Sequence, residues 1–111
     1  MNTRKYSAKQ EKRIAKDLGG KRQSNSGATS FEKGDIKKDC ILIEAKTQIE
    51  PKKSFTIKKE WLDKNKEEAF SMGKQYSALA FNFGGLNDKD DYYVIDKSTM
   101  KLLVNYLEEN E

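Results

Sequence analysis

Acidic and basic side chains surround a short apolar run near the middle of the chain. Residues 40–43 are apolar, Glu44 and Lys46 follow them, and Asp35 precedes them directly after a glycine. A short apolar run bounded by charged residues is typical of a buried strand. Because side chains alternate along a strand, Glu44 and Lys46 share a face and lie roughly 7 Å apart. If Asp35 lies on the partner strand of a hairpin, its carboxylate reaches the same place.

Two carboxylates and an ammonium group at one end of a sheet suit a Mg²⁺ ion that acts on a phosphodiester. Carboxylates are hard oxygen ligands, and water and phosphate oxygens complete the octahedron. The acid-x-Lys spacing alone is weak evidence, because it occurs three times, at Asp35, Glu44 and Glu50, in a chain that is 36% charged. Only the copy at Glu44 ends an apolar run, where charged groups have a desolvation cost. The competing interpretation is a structural ion pair at a strand end.

Positive charge is concentrated at the start of the chain. Residues 1–30 carry eight basic and two acidic side chains, whereas residues 31–111 carry 14 basic and 16 acidic ones. This asymmetry is expected of a face that binds phosphates. The polar, glycine-containing stretch 19–30 is either a loop that grips phosphates through backbone N–H groups or a plain flexible connection. The candidate phosphate-contacting residues from these stretches and from the end of the apolar run are Arg4, Lys5, Lys9, Lys12, Lys21, Arg22 and Gln48.

Absent residue types and motifs exclude several kinds of chemistry. The 111-residue chain has no histidine, which excludes Ser-His and Cys-His nucleophilic catalysis and histidine general bases. It has no phosphate-binding Gly-x-x-x-x-Gly-Lys loop, so we expect no nucleotide cofactor. A single cysteine, Cys40, excludes an internal disulfide, and its apolar neighbours predict an inert core thiol. Without a signal peptide or an apolar run of about 18 residues, we expect a cytoplasmic protein that does not enter a membrane.

Helical and extended segments alternate around the charged cluster. Ser7 caps a first helix that ends at Leu18 before two glycines. Within this helix Glu11 is an acid among bases, and it either faces the interior near the other carboxylates or makes an ordinary surface pair. Residues 35–46 are predicted to form a hairpin.

The second half of the chain predicts a helix, two strands and a last helix. The helix covers roughly residues 58–72, and the strands cover residues 77–83 and 92–95. The last helix is capped by Ser98 or Thr99 and carries an apolar stripe of Met100, Leu103, Val104 and Leu107. The order of elements predicts an α/β fold, a single domain with a mixed central β-sheet and flanking helices, in the order α-β-β-(β)-α-β-β-α. Within the one domain, 1–111, we distinguish a basic helix and loop (1–30), a catalytic core (31–83) and a C-terminal strand and helix (84–111).

These motifs together resemble the restriction-endonuclease-like, PD-(D/E)XK nuclease superfamily, and most of all the small archaeal and phage Holliday-junction resolvases. The resemblance covers about residues 4–83 and rests on the helix with Glu11, the stretch 22–27, Gly34-Asp35 and Glu44-Ala45-Lys46-Thr47-Gln48. It implies a restriction-endonuclease-like core made of a helix, a three-stranded meander, a second helix and a strand. The chain departs from the pattern at Gly34, where proline often precedes the motif aspartate, and in the stretch 26–27, where Ser-Gly replaces the usual Gly-Ser.

The resemblance also implies roles for individual residues. Asp35 and Glu44 would bind Mg²⁺, for which Mn²⁺ substitutes, and Lys46 would orient or deprotonate the attacking water. Glu11 would complete the acidic cluster.

Residues near the scissile phosphate are implied as well. Arg22 and Ser26 look like the basic and hydroxyl residues that such resolvases place there, and Ser24 and Ser30 are the rivals of Ser26. Because these enzymes act as homodimers that cut two strands symmetrically, the expected partners are DNA, as a four-way or other branched junction, and a second copy of the chain. The candidate dimer surfaces are the last helix or, alternatively, Phe70 and Met72.

The function expected from the sequence is therefore that of a Mg²⁺-dependent endonuclease that cleaves branched DNA during recombination or repair. One alternative is a restriction- or repair-type nuclease of the same fold with another DNA substrate. A second is a DNA-binding module that has lost catalysis, and a third is a basic RNA-binding protein. The motif does not separate the first two, because substrate choice depends on surface shape.

Overall fold

The computed structural model of the chain describes residues 3–22, 35–85 and 89–110, with the backbone alone described for Thr3, Arg4 and Asp35. In chain order the elements are helix α1 (Thr3–Leu18), strands β1 (Lys21–Arg22), β2 (Asp35–Lys37) and β3 (Ile41–Lys46), helix α2 (Lys59–Ser71), strands β4 (Tyr76–Phe81) and β5 (Tyr92–Val94), and helix α3 (Lys97–Glu109). The prediction of a single mixed α/β domain with helices around one sheet is confirmed. The optional strand of the predicted order, expected between the hairpin and the second helix, is not formed in residues 47–58, and the strand that completes the meander is β1, which precedes the hairpin in the stretch expected to be a loop.

The sheet has five strands in the order β1-β2-β3-β4-β5. Strands β1, β2 and β3 form an antiparallel meander, β3 and β4 are parallel, and β5 returns antiparallel to β4. A parallel pair requires a crossover, and α2 supplies it. Strand β3 is therefore central, and charged groups at its end are placed between neighbouring strands on both sides.

Helix α1 covers one face of the sheet. Ile14 is fully buried and packs with Ile36, Ile43, Ala78 and Ala80. The helix ends where Gly19 takes a positive φ of 69°, a conformation that side chains with a Cβ rarely adopt. The predicted helix end at Leu18 is confirmed, while its start lies four residues before the predicted Ser7 cap.

Helix α2 covers the opposite face. Leu42 and Leu79, which alternate with the residues packed under α1, are fully buried, and so is Asn65 of α2. The Asn65 amide donates from Nδ2 to the Ala78 carbonyl oxygen at 2.9 Å, which fastens α2 to β4. Since Glu44 and Lys46 alternate with Ile43 along β3, they lie on this α2 face.

Two local predictions are wrong. The N-cap of α3 is Asp96, which accepts hydrogen bonds from the Thr99 backbone N–H and from the hydroxyls of Thr99 and Ser98. Ser98 and Thr99 therefore lie in the first turn and are not the cap. Cys40 is exposed, because β3 begins one residue later and the cysteine lies in the preceding bend. Within the described ranges, no helix has both the length and the apolar character that crossing a membrane requires.

Candidate active site

The buried Glu44 carboxylate and the partly buried Lys46 ammonium form an ion pair at the end of the central strand. Lys46 Nζ lies 3.3 Å from Glu44 Oε1, and the Glu44 side chain is only 5% exposed. A carboxylate taken out of water is costly unless charged or polar groups compensate it. A strand end that keeps such a group beside an ammonium is either a functional site or a structural ion pair.

Asp35 stands at the position that the predicted hairpin requires. In the antiparallel ladder between β2 and β3, Asp35 is paired directly with Glu44. Residues paired in this way share a face of the sheet, with their Cβ atoms about 5 Å apart. The register is thus compatible with two carboxylates at one point, while the position of the Asp35 carboxylate itself stays a prediction.

An indole ring adjoins the Lys46 ammonium. Lys46 Nζ lies 4.4 Å from the centre of the Trp61 ring, and Lys58 Nζ lies 5.5 Å from the same ring. Such cation–π contacts contribute about 0.5–2 kcal/mol, depending on desolvation. Trp61 lies in the first turn of α2 on the face that carries Glu44, so the ammonium is held between a carboxylate and an aromatic ring.

Trp61 belongs to an aromatic cluster that borders the site. Phe81 is paired with Lys46 in the parallel ladder, stacks on Phe55 at 4.8 Å and contacts Tyr92 at 5.9 Å between ring centres. Phe55 in turn contacts Trp61 at 6.4 Å. Apolar walls lower the local dielectric and so strengthen the interactions of charges placed beside them. The period-2 positions of Phe81 and Phe83 in the sequence are the signal from which part of this cluster was predictable.

Gln10 of α1 holds the end of β3 from the other face. Its Nε2 donates to the Lys46 carbonyl oxygen at 3.0 Å, and its Oε1 accepts from the Thr47 hydroxyl at 2.8 Å. The Gln10 residue is almost fully buried, so both ends of its amide are satisfied inside the protein. These bonds position the backbone from which the Lys46 side chain extends. Sequence reasoning missed Gln10, although it lies one helical turn before Ile14 on the buried stripe.

Glu11 has a different partner from the one expected. Its Oε1 accepts hydrogen bonds from Nη2 and Nε of Arg22, at 2.9 and 3.2 Å. Helix α1, which carries Glu11, packs on the face of the sheet opposite to the one that carries Glu44. The pair with Arg22 joins α1 to β1 instead. The participation of Glu11 in an acidic cluster therefore stays a prediction without support from these contacts.

Exposed lysines form a single stripe along α1. Lys5, Lys9, Lys12 and Lys16 are all exposed, and their spacing of four, three and four residues places them on one side of a helix. This side is opposite to the one that carries Ile14, so the stripe points away from the sheet and from the Glu44–Lys46 face. Lys16 was not among the predicted DNA contacts, although the spacing from Lys12 would have revealed it.

The remaining predicted contacts differ in their setting. Lys21 and Arg22 are exposed on the edge strand β1. Gln48 follows β3, and its side-chain amide donates to the Glu50 carbonyl oxygen at 2.9 Å. Ser24 and Ser26 lie outside the described residues, and so does the side chain of Arg4.

The donor set is suited to a hard cation. Among the side chains of residues 5–22, 36–85 and 89–110, no group of three Asp, Glu, His or Cys residues lies together. A site built on Glu44 and Asp35 needs only two carboxylates, because Mg²⁺ keeps several waters and uses substrate oxygens. The buried Glu44 carboxylate and the register position of Asp35 fit this requirement.

Comparisons with known proteins add no assignment to this geometry. No family model matches the chain, and no curated protein or solved structure shows a significant similarity to it. The chemistry of the site rests on its own contacts: a buried carboxylate, an ammonium 3.3 Å from it, an aromatic wall and a second acidic residue opposite in the sheet.

Proposed function

We propose that this protein is a Mg²⁺-dependent endonuclease that hydrolyses DNA phosphodiesters and prefers four-way or other branched DNA. The observation that carries the proposal is the placement of Glu44 and Lys46 side by side at the end of the central strand, with Asp35 opposite Glu44 in the register. Two carboxylates that can bind a metal ion and an ammonium beside them are the groups that metal-assisted hydrolysis of a phosphodiester requires.

The order and pairing of the elements support the same conclusion. Helix α1, the antiparallel meander β1-β2-β3, helix α2 and the parallel strand β4 follow the sequence of elements that the resemblance to restriction-endonuclease-like nucleases implies. In that arrangement the motif residues belong to the second and third strands of the meander, which is where Asp35, Glu44 and Lys46 stand. The fold thus supplies a scaffold for the proposed chemistry, though a fold alone does not specify a function.

Each residue of the proposed site has a distinct task. Asp35 and Glu44 would hold Mg²⁺, which, when bound, acidifies a water and offsets negative charge on the phosphate. Lys46 donates hydrogen bonds to phosphate oxygens as their charge grows during the reaction. Trp61 and Glu44 keep the ammonium in place before the substrate arrives, so little reorganisation is needed. Phe81 and its aromatic neighbours limit access of water from that side.

The separation between the site and the lysine stripe favours branched over straight DNA. The stripe lies on the outer side of α1, and Glu44 with Lys46 lies on the α2 face. A straight duplex laid across the α2 face does not reach the stripe, whereas the diverging arms of a junction extend around more than one side of a protein. Phosphates of a second arm are the natural partners of the stripe.

The first experiment is cleavage of an end-labelled synthetic four-way junction with and without Mg²⁺. Glu44→Gln and Lys46→Ala should each lower the cleavage rate roughly 100-fold or more, while junction binding is retained. The chain offers a matched control, since Glu50 and Lys52 repeat the acid-x-Lys spacing at exposed positions. The double variant Glu50→Gln with Lys52→Ala should cut normally. Normal cleavage by Glu44→Gln would show that the site is misassigned.

Substrate preference is tested with the same protein on a junction, a flap and a linear duplex of matched sequence. Preferential cleavage of the junction, in Mg²⁺ or Mn²⁺, supports the proposal. Equal cleavage of the linear duplex would point instead to a restriction- or repair-type nuclease of the same fold.

One observation favours a second candidate, a DNA-binding module without catalysis. The Lys46 ammonium is already engaged by Glu44 and by the Trp61 ring, which is also what a purely structural ion pair looks like. Thermal unfolding with and without Mg²⁺ separates the two. If Glu44 belongs to a nuclease site, Mg²⁺ should raise the unfolding temperature of the wild-type protein but not that of Glu44→Gln. If the ion pair is purely structural, Mg²⁺ should raise the unfolding temperature of neither protein.

A further inference from the structure

Helix α3 carries an apolar surface that no other part of the described ranges, 3–22, 35–85 and 89–110, covers. None of its residues is buried, and six large apolar side chains are between 37% and 63% exposed. These side chains are Met100, Leu102, Leu103, Val104, Tyr106 and Leu107. At 100° per residue they occupy one continuous side of the helix, and the charged residues occupy the other. Large apolar patches on soluble proteins commonly mark interaction sites.

The N-terminus of α3 nevertheless has a hydrogen-bonded cap. Asp96 caps it through bonds to the Thr99 backbone N–H at 2.9 Å and to the Thr99 hydroxyl at 2.8 Å. Isolated helices of this length are marginal in water, and most helices in proteins are stabilised by packing of their apolar face. A capped helix with no buried residue therefore lacks its main source of stability unless another surface covers it.

The charged side chains of α3 are placed unfavourably with respect to the helix dipole. Lys97 and Lys101 lie in the first half, and Glu108 and Glu109 close the helix, with no acidic residue in the first turn and no basic residue in the last. The helix dipole favours the reverse order, by roughly 0.3–1 kcal/mol for each charge. A second α3 in antiparallel orientation corrects this, because it brings each acidic end beside the basic end of the other helix.

We propose that α3 pairs antiparallel with α3 of a second copy of this chain, about a twofold axis near Leu103. With the axis there, Glu108 of one copy comes level with the interval between Lys97 and Lys101 of the other. These three residues lie on one flank of the apolar side, and the flanks that meet in an antiparallel pair are the same flank of each helix. The contact is isologous and closes on itself, as twofold dimers do.

The available area agrees with a stable dimer. The six half-exposed side chains, together with Phe70, which is 85% exposed across the adjoining groove, form an apolar patch on the order of several hundred Å², against about 800 Å² per partner in a standard interface. A membrane surface fits less well, because amphipathic helices that lie on membranes are rich in Lys and Arg on the polar face, and α3 carries as many glutamates as lysines. The proposal goes beyond the nuclease function and does not depend on it.

The test is the mass of the full-length protein in sedimentation equilibrium, with the nuclease assay kept separate. The wild-type protein should have twice the monomer mass of 12.8 kDa. Leu103→Glu with Leu107→Glu should have the monomer mass and an unchanged circular-dichroism melting transition at low concentration. Leu18→Glu, at an exposed leucine of α1, is the matched control and should stay dimeric. A monomeric wild type, or a dimer that survives the double substitution, would overturn the proposal, and so would binding of wild type to phosphatidylcholine–phosphatidylserine vesicles as a monomer.

Charge reversal tests the orientation. Glu108→Lys makes the flank wholly basic and should weaken the dimer at low salt at least tenfold. Adding Lys97→Glu and Lys101→Glu to that variant inverts the pattern and should restore the wild-type dissociation constant. No weakening by Glu108→Lys, or no restoration by the triple variant, would exclude the antiparallel arrangement.

Discussion

Helices α1 and α3 are both amphipathic, yet among the residues that the structure describes only the more polar of the two is covered by other elements. On α1, Ile14 is fully buried, and the polar residues Gln10 and Glu11 of its inner side have hydrogen-bond partners. On α3, six large apolar residues stay exposed. Hydrophobic content therefore does not decide which helix is buried. What decides it is whether a face of the sheet is available at the place where the helix lies.

The topology explains the difference. Helices α1 and α2 occupy the two faces of the sheet around β3, the most central strand. Helix α3 follows β5, an edge strand, after both faces have been taken. Its apolar side therefore stays exposed among the described residues, whereas the exposed side of α1 is a row of lysines. These two surfaces are the ones to which we assign self-association and phosphate contacts in our proposals.

The largest effect should come from the covered helix. Ile14→Ala removes a fully buried side chain and should lower the free energy of unfolding by about 2–5 kcal/mol, because it leaves a cavity between α1 and the sheet. Urea denaturation monitored by circular dichroism measures this change in the free energy of unfolding. Ile14→Val, which removes one methylene, is the graded control and should lower the free energy of unfolding by about 1 kcal/mol. A loss below 1 kcal/mol for the alanine variant would mean that α1 is not part of the cooperative core.

The second effect concerns the ion pair that fastens α1 to the far edge of the sheet. Arg13 donates from Nε and Nη2 to the two Asp91 oxygens, both at 2.6 Å, and the Asp91 side chain is 4% exposed. Asp91→Ala should lower the free energy of unfolding by about 2–3 kcal/mol, since it leaves a partly buried guanidinium without its bidentate acceptor.

A double-mutant cycle with Arg13→Ala isolates the pair. The coupling energy should exceed that of the exposed pair between Lys66 and Asp96, for which less than about 1 kcal/mol is expected. Equal coupling energies for the two pairs would contradict the idea that α1 is held more firmly than α3.

The third effect is a pH dependence at the start of α3. Hydrogen bonds from the backbone N–H and the hydroxyl of Thr99, with a smaller contribution from Lys66, hold the pKa of Asp96 well below its ordinary value of 3.8. A lowered carboxylate pKa stabilises the folded state above the unfolded pKa, and that stabilisation is lost as the pH falls below about 4. The protection factors of the α3 amides, which are their exchange rates corrected for the intrinsic rate at each pH, should therefore fall below this pH.

Asp96→Ala tests the same cap at neutral pH. The substitution should cost about 1 kcal/mol of helix stability and remove the acid dependence of α3 exchange, while exchange in α1 stays unchanged. Acid-dependent exchange of α3 that persists in the Asp96→Ala protein would assign the effect to another group.

The smallest effect should come from the uncovered helix in the monomer. Leu103→Ala, measured at a concentration where the protein is monomeric, should change the free energy of unfolding by less than about 0.5 kcal/mol, because the side chain has little packing to lose. The same substitution should weaken self-association in sedimentation. A loss comparable to that of Ile14→Ala would show that α3 packs on its own chain.

Local patterns predicted most of the elements. Helical periodicity located α1, α2 and α3 to within a few residues, and apolar runs located β3, β4 and β5, because both signals depend only on neighbours along the chain. The two-residue strand β1 was missed, since two exposed basic residues have no strand pattern of their own. The Asp96 cap was missed because any of three adjacent capping residues fits the same pattern.

The candidate site was predictable only in part. Alternation along β3 puts Glu44 and Lys46 on one face, and that follows from the sequence alone. The cation–π contact with Trp61 and the hydrogen bond from Gln10 join residues that are far apart in the chain, and no local pattern specifies them. For Glu11, the resemblance implied a place in the acidic cluster, which stays a prediction. The hydrogen-bonded pair that Glu11 forms with Arg22 depends on how α1 packs against β1, and no local pattern specified it.

The sequence by itself determined where helices and strands form, which side of each is apolar, and that a carboxylate and a lysine end one buried strand. Tertiary structure alone decided that Asp35 stands opposite Glu44, that Arg13 reaches Asp91, and that α3 keeps its apolar side exposed. The physical reason is that periodicity is a property of adjacent residues, whereas register, ion pairing across the chain and coverage of a face depend on which elements reach the sheet and on which face they pack.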